Sequence, residues 1–279
     1  MHLFLSAAGE AVIKNELVAP SKDGKVLWIN DRVLDQLQFD INLPFMNTYL
    51  AVDEGGVIHA TGWNAEGKNT TCAVSSGGSL LWTCPLSNCP LSPPMVDKNG
   101  NVLIVTADLR NGSFNAESFL EEFHRDGSPG FRISLGFGYS YASSSIAIGS
   151  DGKIYASNTE ISVLTPNGTT LWKIYFYSFG TSIAIDAEDQ VIASQGAVYR
   201  LGRNGILNYW QLPATADASS PAIGSGGTIY VIQYNLDNAQ EAGPGKLFWV
   251  DKLLALGSDG TTKWTLNVGG NQNGRKGVD

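Results

Sequence analysis

Three histidines, three cysteines and a few Asp-rich turns are the residues of this 279-residue chain best suited to chemistry. A metal centre or a histidine-dependent triad needs several such groups to converge. His59 falls in a strand-like stretch and His124 just before a turn, so they are expected at opposite ends of separate units. Each reads as a structural histidine with its hydrogen bonds satisfied, and no metal ligand set or cofactor is expected. His59, with Tyr139 or Tyr141, is retained as a weak catalytic candidate, because an imidazole and a phenol can serve as acid and base. Asp97-Lys98-Asn99-Gly100-Asn101 begins like a calcium loop but lacks the remaining ligands and the closing Glu, so it reads as a turn. The glycine-rich segments 224–227 and 269–274 open no helix and offer no phosphate cradle. Cys72 and Cys84 are symmetric about Gly78, which predicts facing positions across a hairpin and a feasible disulfide. Cys84–Cys89 is the rival pairing, and either leaves one thiol over. Sequons at Asn69, Asn111 and Asn167 are about as frequent as chance would give.

The elements that must position these residues follow from composition and period. The chain carries 32 glycines, only 16% charged residues and a formal charge of −8. Few Lys, Arg and Glu leave little material for exposed helix faces, while Gly and Asn suit tight turns. The acidic balance excludes a phosphate-tracking nucleic-acid binder. No apolar run reaches the roughly 18 residues of a transmembrane span, and the first residues do not read as a secretory signal.

Two pieces recur. The head is an apolar residue followed four positions later by Gly: Leu5–Gly9, Val52–Gly56, Val96–Gly100, Ile148–Gly152 and Ile223–Gly227, with Asp189 replacing Gly after Ile185. The tail is a Gly followed four positions later by an aromatic ring: Gly24/Trp28, Gly78/Trp82, Gly127/Phe131, Gly168/Trp172, Gly205/Tyr209 and Gly260/Trp264. Heads and tails alternate six times, and each reads as two strands around a two-residue, positive-φ turn. One repeat thus holds four antiparallel strands in about 46 residues, the mark of a β-propeller blade. The tail ring is expected to wedge between neighbouring blades. Residues 115–125 contain helix formers, but their register with the other tails predicts a strand over 118–124. The expected fold is all-β: one propeller domain over 1–279, with blades near 1–45, 46–90, 91–140, 141–178, 179–217 and 218–270. Its alternative is part of, or a match to, a seven- or eight-bladed ring.

The segments 145–157 (SIAIGSDGKIYAS), 220–231 (SPAIGSGGTIYV), 163–172 (VLTPNGTTLW) and 253–264 (LLALGSDGTTKW) resemble PQQ-like repeats. Such repeats build quinoprotein dehydrogenases and outer-membrane assembly propellers, and the resemblance spans essentially the whole chain. It implies the scaffold. The quinone-using enzymes of that group are larger rings with a vicinal cysteine pair and acidic calcium ligands. This chain has no Cys-Cys dipeptide and no CxxCH site, so the quinoprotein activity is not expected.

Spacing locates the candidate binding face. Head-to-tail glycine separations are 15, 22, 27, 16, 16 and 33, so repeats 2, 3 and 6 carry insertions near 60–71, 104–117 and 232–251. Another lies near 30–48. In an up-and-down blade the head and tail turns share one end, and every insertion falls at the other. Long loops gathered on one face of a rigid scaffold are where binding is usually placed. Trp63, Asn64, Phe137, Tyr139, Tyr141, Tyr175, Tyr177, Tyr234, Asn235 and Asp237 are the candidate binding residues, suited to stacking on sugars or anchoring a protein. The expected function is non-catalytic recognition of a protein or glycan, in an extracellular, surface or periplasmic protein. The alternative is a carbohydrate-active enzyme (a polysaccharide lyase or glycosidase-like) using acid–base residues on the same face.

Overall fold

In the computed structural model the described residues are 2–5, 11–14, 17–20, 26–30, 49–63, 68–109, 115–139, 144–158, 160–175, 182–194, 197–203, 205–212, 216–224, 226–235 and 249–271. Among them there is no helix, and every sheet is antiparallel. The chain divides into two compact units, Met1–Tyr141 and Ala142–Asp279.

In the first unit, repeat 1 supplies two hairpins, β1 (His2–Leu5) with β2 (Ala11–Lys14) and β3 (Leu17–Pro20) with β4 (Val26–Asn30). Repeat 2 forms a four-stranded sheet of β5 (Tyr49–Val52), β6 (Ile58–Trp63), β7 (Asn69–Val74) and β8 (Leu80–Pro85). Repeat 3 adds β9 (Cys89–Pro90), β10 (Met95–Val96), β11 (Val102–Ala107), β12 (Asn115–Phe123) and β13 (Pro129–Tyr139). The helix formers of 115–125 therefore lie largely in a strand, because pairing to β11 and β13 overrides local propensity. This third sheet starts at Cys89, ahead of the boundary expected near 91, because β9 pairs with β11.

In the second unit, repeat 4 forms β14 (Ser145–Ile148), β15 (Ile154–Ser157), β16 (Glu160–Leu164) and β17 (Thr170–Tyr175). Repeat 5 forms β18 (Ala184–Ile185), β19 (Val191–Ser194), β20 (Ala197–Gly202) and β21 (Gly205–Gln211). Repeat 6 forms β22 (Ala216–Ala218), β23 (Ala222–Ile223), β24 (Ile229–Asn235), β25 (Trp249–Leu256) and β26 (Thr262–Asn271).

Burial explains the sequence pattern. Strands β11, β15 and β19 are buried along their whole length, and read as runs such as Val102-Leu-Ile-Val-Thr-Ala107. The outer strands β8 and β17 alternate exposed and half-buried residues, with Trp82 and Trp172 on the half-buried side. Between sheets 4 and 5 the core is Tyr155, Ile161, Val163, Val191 and Leu201; between sheets 5 and 6 it is Ile192, Val198, Ile229, Val231 and Leu254.

The turns differ from the two-residue form expected. Nine of them, from 53–57 to 257–261, share one bond pair: the first amide donates to the fifth carbonyl, and the fourth amide donates back to the first. In eight of them only the fourth residue has positive φ, the mark of a type I turn closed by a bulge rather than a mirror-image turn; in 224–228 both Gly226 and Gly227 have positive φ. All ten described head and tail positions, Asp189 included, have φ between 55° and 114°. Asp189 adopts this conformation with its carboxylate accepting from the Ser150 amide at 3.0 Å, which ties the head turn of repeat 5 to that of repeat 4.

The aromatic wedge is visible twice. Trp82 Nε1 donates to the Arg125 carbonyl at 3.0 Å, and its ring covers Gly127 so closely that a Cβ there would stand 2.7 Å away. Trp210 Nε1 donates to the Asp259 carbonyl at 2.7 Å and its ring lies over Gly260. In repeat 5 the wedge is thus Trp210 and not Tyr209, whose side chain is exposed and stacks on Tyr199. The tail turn of repeat 5 is one residue shorter, with Gly202 opposite Gly205, so Tyr209 points to the other face of its strand.

Serines stitch the sheets at the end away from the turns. Ser92 and Ser219 accept from the amides of Val105 and Ile232, and Ser145 accepts from the Ile183 amide of the next sheet at 3.0 Å. No periodicity argument singles these hydroxyls out; a Ser or Thr four residues before every head but the first, at Thr48, Ser92, Ser144, Thr181 and Ser219, could have found Ser92 and Ser219 but not Ser145.

Candidate functional site

Corresponding residues of each sheet form a row across its four strands, and the rows show which repeat departs from the pattern. Sheet 4 has Ala147, Tyr155, Val163 and Trp172 in register. Sheet 6 has Ala222, Tyr230, Ala255 and Trp264. In both, the tyrosine ring lies over the first residue of the head turn, and that residue is Gly149 or Gly224. A Cβ on either would stand 3.1 or 2.9 Å from the ring. Sheet 2 has Ala51, His59, Ala73 and Trp82 in the same row, and Asp53 where the others have glycine. Sheet 5 has Ala184, Ile192, Arg200 and Asn208, with Asp186 at the turn. A smaller second-strand residue vacates the space above the turn, and an aspartate enters it.

His59 is 2% exposed, and its Nε2 lies 3.5 Å from Asp53 Oδ2. Neither ring nitrogen makes a hydrogen bond, so this is a buried histidine whose polar needs are only partly met, unlike the satisfied one expected. Burial holds its pKa below the usual value and the Asp53 carboxylate offsets part of that. Asp53 is itself partly desolvated, yet the Val57 amide, the His59 ring and the Gly55 amide outweigh this and keep its carboxyl below the ordinary range. His59 follows the head turn of its sheet directly, and His124 begins a tail turn, so both lie at the turn end of their sheets rather than at opposite ends.

A cleft of about 510 Å³ opens at this turn end of the first unit. Its apolar lining includes Ala51, Val52, Pro94, Met95 and Val96, and its charged lining Asp53, Glu54, Asp97, Lys98 and Arg125. The Asp97 carboxylate accepts from the amides of Asn99 and Asn101, both at 2.8 Å, and from the Asn101 side chain. Its oxygens serve the turn. Among the described residues no three of His, Cys, Asp and Glu are grouped to hold a metal ion.

At the end of their own sheets away from the turns, Phe137 lies two residues from the end of β13 and Tyr175 ends β17; they pair with Glu117 and Glu160 and are 67% and 69% exposed. Trp63, Tyr139, Tyr234 and Asn235 also fall on strand ends at the loop side of their own sheets. Asn64, Tyr141, Tyr177 and Asp237 lie outside the described residues. Part of the inserted length is strand rather than loop: β6 runs to Trp63, β11 to Ala107 and β24 to Asn235, leaving 64–68, 108–114 and 236–248 between strands. Tyr139 pairs with Asn115 at the loop end of sheet 3 while His59 adjoins a turn, so the strand register does not bring these two catalytic candidates together.

The facing disulfide is overturned. A bulge after Ala73 shifts the hairpin by one residue, so Cys72 opposes Thr83 and Cys84 opposes Thr71. The two thiols therefore point to opposite faces, and Cys72, Cys84 and Cys89 are all free. Burial raises all three thiol pKa values, that of Cys72 to about 11, with Glu121 adding to the rise at Cys84. Iodoacetamide at pH 7.5 is expected to leave the folded protein essentially unlabelled and to add three groups after unreduced denaturation. Fewer than three groups, read by mass, would mean that a disulfide forms.

No protein-family model matches the chain, and no curated protein matches it in sequence. Solved structures do. A protein of unknown function from Bacteroides caccae is 16% identical, covers 91% of this chain and 90% of its own, and superposes with a TM-score of 0.52. The Neurospora crassa Pan2 WD40 domain is 13% identical over 82% of this chain and 69% of its own, with a TM-score of 0.53. A quinoprotein alcohol dehydrogenase-like protein from Bacteroides thetaiotaomicron is 12% identical, with a TM-score of 0.53, over 79% of this chain and 55% of its own. With the four-stranded antiparallel sheets, these likenesses show the fold of the chain, an all-β propeller, which WD40 and quinoprotein-like structures match alike.

Proposed function

We propose that the protein is a non-catalytic binding propeller, a single domain of six blades, that recognises a protein or glycan through the end carrying its inserted segments. The observation that carries this is the asymmetry between the two ends of each sheet. Nine turns at one end share a single five-residue hydrogen-bond pattern, while the connections at the other vary in length from one repeat to the next. Phe137 and Tyr175 present exposed rings at that variable end, the residue types that anchor interfaces and stack on sugars. The separation of His59 from Tyr139 in the strand register weighs against an acid–base pair built from them. An extracellular, surface or periplasmic site rests on the PQQ-like resemblance, and shielded thiols of raised pKa are compatible with it.

A panel of soluble polysaccharides tests both halves of the reading. Binding to one of them, lost on replacing 236–248 by a short Gly-Ser link and kept in His59→Ala, supports glycan recognition. Release of unsaturated or reducing ends by the intact protein would favour the enzyme instead. If no polysaccharide binds, the partner is a protein, and crosslinking from the two ends locates it.

A further inference from the structure

Sheet 2 replaces the tyrosine-over-glycine arrangement of sheets 4 and 6 with a histidine beside an aspartate, and this substitution has a consequence independent of the proposed binding role. Tyr155 fixes its neighbouring turns with a hydroxyl bond to the Asp189 carbonyl at 2.9 Å, which no change near neutral pH can alter. His59 occupies the equivalent position with an ionisable ring, 2% exposed and lacking any hydrogen bond to either nitrogen. Its polar neighbour is the carboxylate of Asp53 at 3.5 Å, and the other oxygen of that carboxylate accepts from the Val57 amide at 2.8 Å. The pair is thus built into the turn that forms one wall of the cleft. The charged groups around it are Glu54 on its own turn and Asp97, Lys98 and Arg125 on the turns of sheet 3 across the cleft. Strands β7 and β8 present Ala73 and the Trp82 ring, its centroid 6.1 Å from that of His59, and neither carries charge.

We propose that His59 and Asp53 form an acid-sensitive latch, which holds the first turn of sheet 2 and its wall of the cleft in place at neutral pH and loosens them on acidification. The sign follows from burial. A ring that is harder to protonate in the native chain than in the unfolded one binds fewer protons when folded. Its contribution is complete above the ordinary histidine value of about 6.5 and is lost as pH falls towards the depressed native value. Loosening starts at the group that charges, because the buried imidazolium would face a single carboxylate oxygen, Asp53 Oδ2 at 3.5 Å, and has no partner for its Nδ1 proton.

Hydrogen exchange at pH 7.5 and 5.0, corrected for the intrinsic rate, reads the latch in the full chain. Protection of residues 53–57 relative to the turn 149–153 is expected to fall by about five-fold or more at pH 5.0. The double variant His59→Tyr/Asp53→Gly, which installs the arrangement of sheets 4 and 6, is expected to lose that pH dependence. An unchanged ratio in the natural chain, or the same loss in the double variant, overturns the proposal. Should the double variant not fold, imidazole titration of the natural chain by NMR decides: a His59 midpoint below 6.5 supports the latch, and one at or above it contradicts it.

Discussion

Gly260→Ala is expected to destabilise the protein by about 3 kcal/mol, summing roughly 1–2 for a left-handed residue bearing a Cβ and roughly 1–3 for overpacking. Gly260 has φ +82°, and a Cβ there would overlap the Trp210 ring, whose Nε1 is tied to the Asp259 carbonyl one residue earlier. The ring cannot move aside without giving up that bond and its contacts with the core between sheets 5 and 6. The two costs separate in a double-mutant cycle. In a Trp210→Ala background the steric part vanishes and only the backbone part remains, so Gly260→Ala should then cost no more than about 2 kcal/mol. Urea unfolding of the four proteins measures this directly. Additive costs would show that Trp210 does not wedge against the turn.

Asp186→Ala is expected to cost about 3–5 kcal/mol, the loss that follows when one partner of a buried ion pair is removed. Arg200 Nε lies 3.2 Å from Asp186 Oδ2, with both side chains mostly shielded, and the guanidinium sits 5.6 Å from the Trp210 ring centroid. The same carboxylate accepts from the amides of Glu188 and Gln190, so its removal also weakens the turn. Sheet 4 supplies the rescue, because Val163 holds the row position of Arg200 and Gly149 that of Asp186. Adding Arg200→Val to Asp186→Ala is expected to restore most of the loss, since no charge is then left buried. A double variant as unstable as Asp186→Ala alone would place the cost in the turn bonds instead.

Of the residues behind these predictions the repeat made Gly260 legible, whereas Trp210, Asp186 and Arg200 gained their roles only in the structure. The spacing of Ile185 from Asp189 and of Gly260 from Trp264 marked the residues that need positive φ, because a bulged turn leaves few alternatives to Gly, Asn and Asp there. The spacing of Gly78 from Trp82 likewise marked the tryptophan that wedges against the next sheet. What stayed hidden depended on one-residue register. The bulge after Ala73 separated Cys72 from Cys84, and the shorter turn in repeat 5 moved the wedge from Tyr209 to Trp210. Side-chain period in a strand is two, so each single slip reverses a face, and neither slip has a signature in composition. The His59–Asp53 pair was hidden for another reason. The two residues are six apart and gain meaning only when set in register against Tyr155 and Gly149, and Tyr230 and Gly224.

In the proposed function, recognition belongs to the variable end of the sheets and not to the turn end. A photo-crosslinking residue placed at Phe137 or Tyr175, and in separate proteins at Asn99 or Thr169, compares the two ends under native conditions. Phe137 and Tyr175 lie at the variable ends of their own sheets, and Asn99 and Thr169 lie in turns. Adducts from 137 and 175 that fade when 236–248 is replaced, with none from 99 and 169, are the predicted result. Adducts confined to 99 and 169 would contradict it.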